Sequence, residues 1–261
     1  MRVGFVGAGH IAQALGLGWS RPELAGAPAL TYLDVMPEQA ARAAGATGGD
    51  VASGLSGLVE HSDVVIVAVR PQHVAEVLGD VGPLLAGRPL VSVAAGVSLD
   101  ELRSALPADA RVGRVMPNVA AALGLGVFLF VPGTLGAHAE VVERLFALAG
   151  EVVELAEEHF DSATAVAGCM PGMLAALVRD FARAGEECGL GAGVARRLAI
   201  AGVHGAAAVV AREGDPEAVI TSAATPGGMT AAAISKLEER GLADAVALAV
   251  HAAAERAKEL K

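Results

Sequence analysis

A short apolar run, Arg2–Val6, halts at Gly7, and the chain continues Gly7-Ala8-Gly9-His10-Ile11-Ala12 before a helix-compatible stretch, His10–Trp19. Few sequence features restrict a fold so tightly. The first glycine permits a tight turn out of a strand. The second lets a ligand approach the backbone, and the small third residue lets the new helix pack closely on the strand. The helix N-terminus then presents unpaired N–H groups and positive dipole to an anion. The motif carries weight because it follows a strand and opens a helix.

Downstream, the same alternation repeats. Ala29–Leu33 is a second apolar run ending at Asp34, and Pro37–Ala44 has a helical pattern. Asp63–Val69 reads D-V-V-I-V-A-V, the β-branched signature of a strand buried on both faces. Leu90–Ala94 and Arg111–Met116 are expected as further strands, with helices over Gln72–Val81 and Leu99–Leu106 between them. Val127–Val131 and Val152–Leu155 could extend the sheet around a helix at His138–Leu148. After residue 157 the strand signal stops. What remains reads as helices interrupted at Met170–Gly172, Gly189–Gly193, Gly214–Pro216 and Pro226–Gly228. The expectation is an α/β fold: a dinucleotide-binding Rossmann domain over 1–157, then an all-helical domain over 158–261.

Ligands of open α/β sheets sit at the carboxyl ends of the strands. Gly7, Gly9, His10 and Ile11 at the first turn are therefore candidate cofactor residues, as are Val69, Arg70 and Pro71 after the Asp63 strand. Asp34 follows Gly9 by 25 residues, near the position where a carboxylate meets the adenosine ribose. A carboxylate there repels a 2′-phosphate, and Val35-Met36-Pro37-Glu38 supplies no cation. NAD(H) is thus expected over NADP(H). Asp34 could equally cap the Pro37 helix.

Composition excludes other classes. The net charge of −10, with only three lysines (Lys236, Lys258 and Lys261), argues against a nucleic-acid partner. Cys169 and Cys188 make no disulfide framework, and no Cys/His spacing fits a metal. The most apolar helical stretch, Leu198–Ala211, is expected to be too short to span a bilayer. The expectation is a soluble cytoplasmic protein with no membrane partner. Glu157-Glu158 reads as a solvated helix start.

Taken together, GAGHIAQA (Gly7–Ala14), DVVIVAVRPQ (Asp63–Gln72), VSVAAGVSLDEL (Val91–Leu102), RVMPN (Arg114–Asn118), GEECGL (Gly185–Leu190), PGGMT (Pro226–Thr230) and RAKEL (Arg256–Leu260) occur in one order along nearly the whole chain. In these segments the sequence resembles the pyrroline-5-carboxylate reductase family. The resemblance implies NAD(P)H-dependent reduction of a cyclic imine and a helical domain that interlocks with a second subunit as a homodimer or larger homo-oligomer. It also implies an active site at the dimer interface. Ala94, Met116, Pro117 and Asn118 would lie near the cofactor. Gly227, Gly228, Met229 and Thr230 would form the substrate loop, with Thr230 hydrogen-bonding the imine nitrogen and Asn118 beside it as the second catalytic candidate.

The sequence departs from the family at Met229, where a small or hydroxyl residue is usual, and along one longer stretch. Where S-G-S-G-P-A-Y is usual, it has Ala167-Gly168-Cys169-Met170-Pro171-Gly172-Met173. Cys169, Met170 and Met229 would make the substrate pocket less polar and more adaptable. Two alternatives stay open: a reductase of a different cyclic imine, and a non-catalytic dinucleotide-binding relative. β-Hydroxyacid dehydrogenases share the first motif but need a lysine acid/base. The one candidate, Lys236, sits in a charged S-K-L-E-E-R stretch that reads as a solvated helix face. Imine reduction needs no such group, because a protonated imine is already electrophilic and the cofactor carries the chemistry.

Overall fold

A computed structural model describes residues 1–259. Two compact units emerge: Met1–Cys169 with the C-terminal stretch from Ala253, and Met170–Ala252.

The first unit is built on an eight-stranded sheet: β1 (Arg2–Val6), β2 (Ala29–Leu33), β3 (Asp50–Val51), β4 (Val64–Val67), β5 (Pro89–Ser92), β6 (Arg111–Met116), β7 (Gly126–Val131) and β8 (Gly150–Glu154). The spatial order is β3-β2-β1-β4-β5-β6-β7-β8. All pairs are parallel except β6 with β7, which is antiparallel. The order reverses between β1 and β4. That switch point opens a crevice at the strand ends, beside the turn that follows β1.

Helices α1 (His10–Trp19), α2 (Pro37–Thr47), α3 (Leu55–Glu60), α4 (Val74–Val81), α5 (Leu99–Ser104) and α6 (Ala139–Ala147) cover the sheet. The pleat sorts the strand residues between two cores. Val64 and Ile66 face one side with Phe5, Tyr32 and Trp19. Val65 and Val67 face the other with Leu78, Leu90 and Leu102. The scarce aromatics gather in the first core, where Phe5 stacks on Tyr32 at 5.0 Å and Trp19 meets Phe146 edge-on at 5.4 Å. Such pairs fix side chains in one arrangement where aliphatic packing alone is permissive. On α1, Gly18 lies so close to the Ala121 carbonyl that a Cβ there would collide with it. The helix therefore seats directly on the segment after β6.

The expected strands and helices are present, most with ends shifted by a few residues. The β4 ladder stops at Val67, two residues before the expected end. The helix expected over Gln72–Val81 divides into a 3₁₀ turn, Pro71–His73, and α4. The two-residue edge strand β3 and the short helix α3 were not anticipated. After β8 come a 3₁₀ turn (Glu157–His159), the short helix α7 (Phe160–Ala163) and one π-helical turn (Thr164–Gly168).

The second unit contains α8 (Met170–Glu187), α9 (Ala192–Glu213), α10 (Pro216–Ala223), α11 (Met229–Glu239) and most of α12 (Leu242–Glu259). Pro171-Gly172 begins α8 rather than breaking it, because proline is accommodated in a first helical turn. Helix α9 has 22 residues, well beyond Leu198–Ala211. The expectation that this stretch is too short to span is therefore corrected: α9 and the helical stretch Glu157–Glu187 both have the length and composition of a membrane span. Within this unit only Ala182 and Ala195 are fully buried, while Phe181, Leu198, Ile200 and Leu248 are more than half exposed. These faces are left bare by the chain's own packing.

Candidate active site

The sequence-derived cofactor residues come together at the carboxyl ends of β1, β2, β4, β5 and β6. Gly7 adopts φ +97°, a conformation costly for any residue with a side chain. A Cβ there would also sit 2.6 Å from the Ala68 carbonyl oxygen. Gly9 is different. Its backbone is extended, and a Cβ would meet no protein atom within 4 Å. Gly9 is the N-cap of α1, with no side-chain cap and no acidic residue in the first turn. The first N–H groups of α1 therefore face open space bounded by a bare backbone, a cradle matched to a pyrophosphate. His10 is exposed at the first position of that helix, Ile11 is half-buried, and Ala12 is fully buried against the core.

Asp34 ties the cradle to the next loop. Its Oδ2 accepts the Ala8 N–H at 2.7 Å and its Oδ1 accepts the Met36 N–H at 2.9 Å. Each oxygen keeps lone-pair capacity for a hydroxyl. The cleft beside it is walled by Gly7, Val35, Val69 and Val77, with Asp34 and Asp80 as its acidic groups. Two carboxylates and an apolar wall suit an uncharged adenosine edge. Arg70 and Pro71 are exposed just beyond β4, and Ala94 is buried after β5.

At the end of β6, Met116 is half-buried, while Pro117 and Asn118 are buried. The Asn118 side chain bonds within the protein through both its oxygen and its nitrogen. Its Oδ1 accepts the N–H groups of Ala120 (3.2 Å) and Val127 (3.4 Å), and its Nδ2 donates to the Ala167 carbonyl at 3.2 Å. The helical i+4 partner of that carbonyl would be residue 171, a proline with no N–H to give. The amide of Asn118 supplies the missing donor.

A buried cation that the sequence reading had not singled out lies four residues before Asn118. Arg114 is 2% exposed. Its Nη1 pairs with Glu157 Oε1 at 2.9 Å, and its guanidinium lies 3.9 Å from the Phe160 ring centroid. The same Glu157 oxygen accepts the Leu99 N–H at 2.6 Å. Burial pulls the Arg114 pKa down, and the hydrogen bond and charge of Glu157 oppose it. The solvated reading of Glu157 is therefore corrected, whereas Glu158 is exposed as expected. The available signal was a charge inside a strand pattern, Arg111–Met116, on the same pleat face as Val112 and Met116.

In the second unit, Thr225-Pro226-Gly227-Gly228 forms a turn closed by the Gly228 N–H to the Thr225 carbonyl at 2.9 Å. Proline in its second place and Gly227 at φ +74° in its third give a type II turn. Gly228 then caps α11 without a side-chain bond, and no acidic residue occupies the first turn. Met229, 92% exposed, and Thr230, also exposed, begin the helix beside free N–H groups suited to a carboxylate. Met170 belongs to this unit, and Cys169 closes the first as an exposed free thiol. Lys236 pairs with Glu239 at 2.6 Å on an exposed face, as expected for a solvated lysine.

Comparison with known proteins bears on the chain as a whole. The family profile for pyrroline-5-carboxylate reductase dimerisation matches residues 157–260, and a profile described as NADP oxidoreductase, coenzyme F420-dependent, matches 2–96. The pyrroline-5-carboxylate reductase of Mycobacterium leprae is 35% identical, with 100% of this chain and 97% of that protein covered. The Aquifex aeolicus protein of the same name is 33% identical over the same shares. Among solved structures, the Plasmodium falciparum pyrroline carboxylate reductase with NADP bound aligns with a TM-score of 0.86 at 25% identity, covering 100% of this chain and 98% of that one.

Proposed function

Because the chain belongs to the pyrroline-5-carboxylate reductase family, we propose that it reduces 1-pyrroline-5-carboxylate to proline with a pyridine nucleotide as hydride donor. The carrying observation is the match to curated reductases along the whole chain, and the open cradle at Gly9 agrees with it. The nucleotide, when bound, supplies the hydride that adds to the imine carbon. The nitrogen, protonated beforehand, keeps its proton and becomes the secondary amine.

The protein's own part is binding and orientation. Under this reading the Gly9 cradle and the α1 N–H groups hold the pyrophosphate, and Asp34 takes the adenosine ribose. The Gly227-Gly228 turn and the first turn of α11 hold the substrate carboxylate, and Thr230 directs the imine nitrogen. Asn118 positions Ala120, Val127 and Ala167 through its side-chain amide, and the second hydrogen of its Nδ2 stays available to a ligand. Residues 1–157 would serve the cofactor and 158–261 the substrate and the partner. A second copy of the chain would cover the bare faces of α8 and α9, giving a homodimer or larger homo-oligomer.

The test is oxidation of NADH and NADPH by the purified protein with 1-pyrroline-5-carboxylate, beside a panel of other cyclic imines. Turnover on 1-pyrroline-5-carboxylate is expected. Activity confined to another imine would redirect the reading to a different substrate, which Cys169, Met170, Met173 and Met229 motivate by their low polarity. Cofactor binding without turnover on any imine would leave a non-catalytic dinucleotide-binding relative.

NADH is the expected coenzyme, because Asp34 and Asp80 would face a 2′-phosphate with negative charge. Asp34→Asn keeps an acceptor for a backbone N–H but removes the charge. The NADH-over-NADPH preference in kcat/KM should then fall by about tenfold, as roughly 1.4 kcal/mol of repulsion disappears. An unchanged preference would remove Asp34 as the discriminating group.

A further inference from the structure

Within the proposed reductase reading, we infer that Arg114 and Glu157 form a positioning pair. It seats the segment Glu157–Cys169 on the end of β6 and so sets the rate of the chemical step rather than the affinity for the nucleotide.

Arg114 occupies an unfavourable place for a charge. It is 2% exposed in a strand whose same-face neighbours, Val112 and Met116, belong to or pack on an apolar core. Its Nε has no hydrogen-bond partner. An apolar side chain of similar volume would fill the site at lower cost, since desolvating an ion pair consumes most of its attraction. What an apolar residue lacks is direction. The guanidinium is held through Nη1 by Glu157 and sits over the Phe160 ring, and the shared Glu157 oxygen holds the Leu99 N–H at the start of α5. One charged pair thereby fixes three segments: β6, the start of the helix that follows the Ala94 loop, and the turn after β8.

The second tie runs parallel to the first. Four residues further along the chain, Asn118 donates to the Ala167 carbonyl that Pro171 cannot serve. Arg114 therefore holds the front of the Glu157–Cys169 segment and Asn118 its rear, both from the β6 end. Between these anchors lie Met116 and Pro117, and the segment ends at Cys169, within the Ala167–Met173 stretch that departs from the family pattern. A Cβ at Gly168 would lie 3.8 Å from the Met116 methyl, so the rear of the segment also approaches this strand end. A small displacement of such a wall can lower a reaction rate by about a hundredfold without touching the reacting atoms.

The test compares wild type with Arg114→Met, the double variant Arg114→Met/Glu157→Gln, and Arg114→Lys. The double variant removes both charges but keeps an acceptor for the Leu99 N–H. Thermal midpoint, NADH dissociation constant, kcat and KM for the imine, and amide hydrogen exchange over 157–169 are measured. Arg114→Met should lower the midpoint, and the double variant should recover it. In the double variant, NADH affinity should stay within about twofold, kcat should fall roughly 10- to 100-fold, and exchange over 157–169 should quicken. Arg114→Lys keeps the charge but loses the fork, so it should fold and still lose kcat. Wild-type kcat with wild-type exchange in either the double variant or Arg114→Lys would overturn the inference. An inactive wild-type protein would overturn the reductase reading alone, because hydrogen exchange still reports on the pair.

Discussion

Gly9→Ala is expected to fold like the wild-type protein and to lose the dinucleotide. The backbone at Gly9 is extended, at φ −70° and ψ −170°, which alanine adopts freely, and the added Cβ would meet no protein atom within 4 Å. The fold loses only the small advantage of glycine over alanine at an N-cap, so the thermal midpoint should drop by no more than about 3 °C. The new methyl would enter the space that the pyrophosphate needs. Two displaced hydrogen bonds to a charged group amount to about 3 kcal/mol or more, roughly a hundredfold in Kd. Gly7→Ala is the contrast. Its positive φ and the 2.6 Å approach to the Ala68 carbonyl place the cost in the fold itself, so midpoint and affinity should fall together. Fluorescence titration with NADH alongside thermal melts separates the two. A Gly9→Ala protein that binds NADH within threefold of wild type would show that the cradle does not hold the phosphates.

Thr230→Val should cost about a hundredfold in kcat/KM for the imine, the usual penalty for one donor aimed at a reacting centre. The substitution conserves shape and removes only the hydroxyl. Thr230 is exposed near the start of α11, so neither the midpoint nor the NADH dissociation constant should move. Thr230→Ser should retain most of the activity. If Thr230→Val keeps more than half of wild-type kcat/KM, the hydroxyl does not touch the imine, and the α11 N–H groups alone orient the substrate.

The sequence conveyed the parallel sheet well because its determinants are local. The D-V-V-I-V-A-V run and the Gly7–Ala12 turn each carry their meaning within about ten residues. Asp34 was also visible as a candidate, though its bonds to the Ala8 and Met36 N–H groups show that it braces the cradle, which the sequence had not indicated. The two-residue strand β3 escaped notice because so short an edge has no periodicity to detect. Arg114 and Glu157 are 43 positions apart, and nothing near Glu157 separates a paired carboxylate from a hydrated one. Asn118 could be placed beside the cofactor by resemblance. That its amide replaces a hydrogen absent from Pro171 became visible only once both ends of the segment were in space.

The bare helices of the second unit bear on how the protein comes to exist. With only Ala182 and Ala195 fully enclosed, that unit owns almost no private interior, and its free energy of folding would be shared between chains. Stability of that kind follows mass action, so dilution acts on it as a denaturant does. If a second copy covers those faces as proposed, a newly made chain would complete its sheet alone and keep α8 and α9 open until it met that copy. The vulnerable interval in its life, when aggregation competes, is then the search for a partner rather than the folding of the sheet.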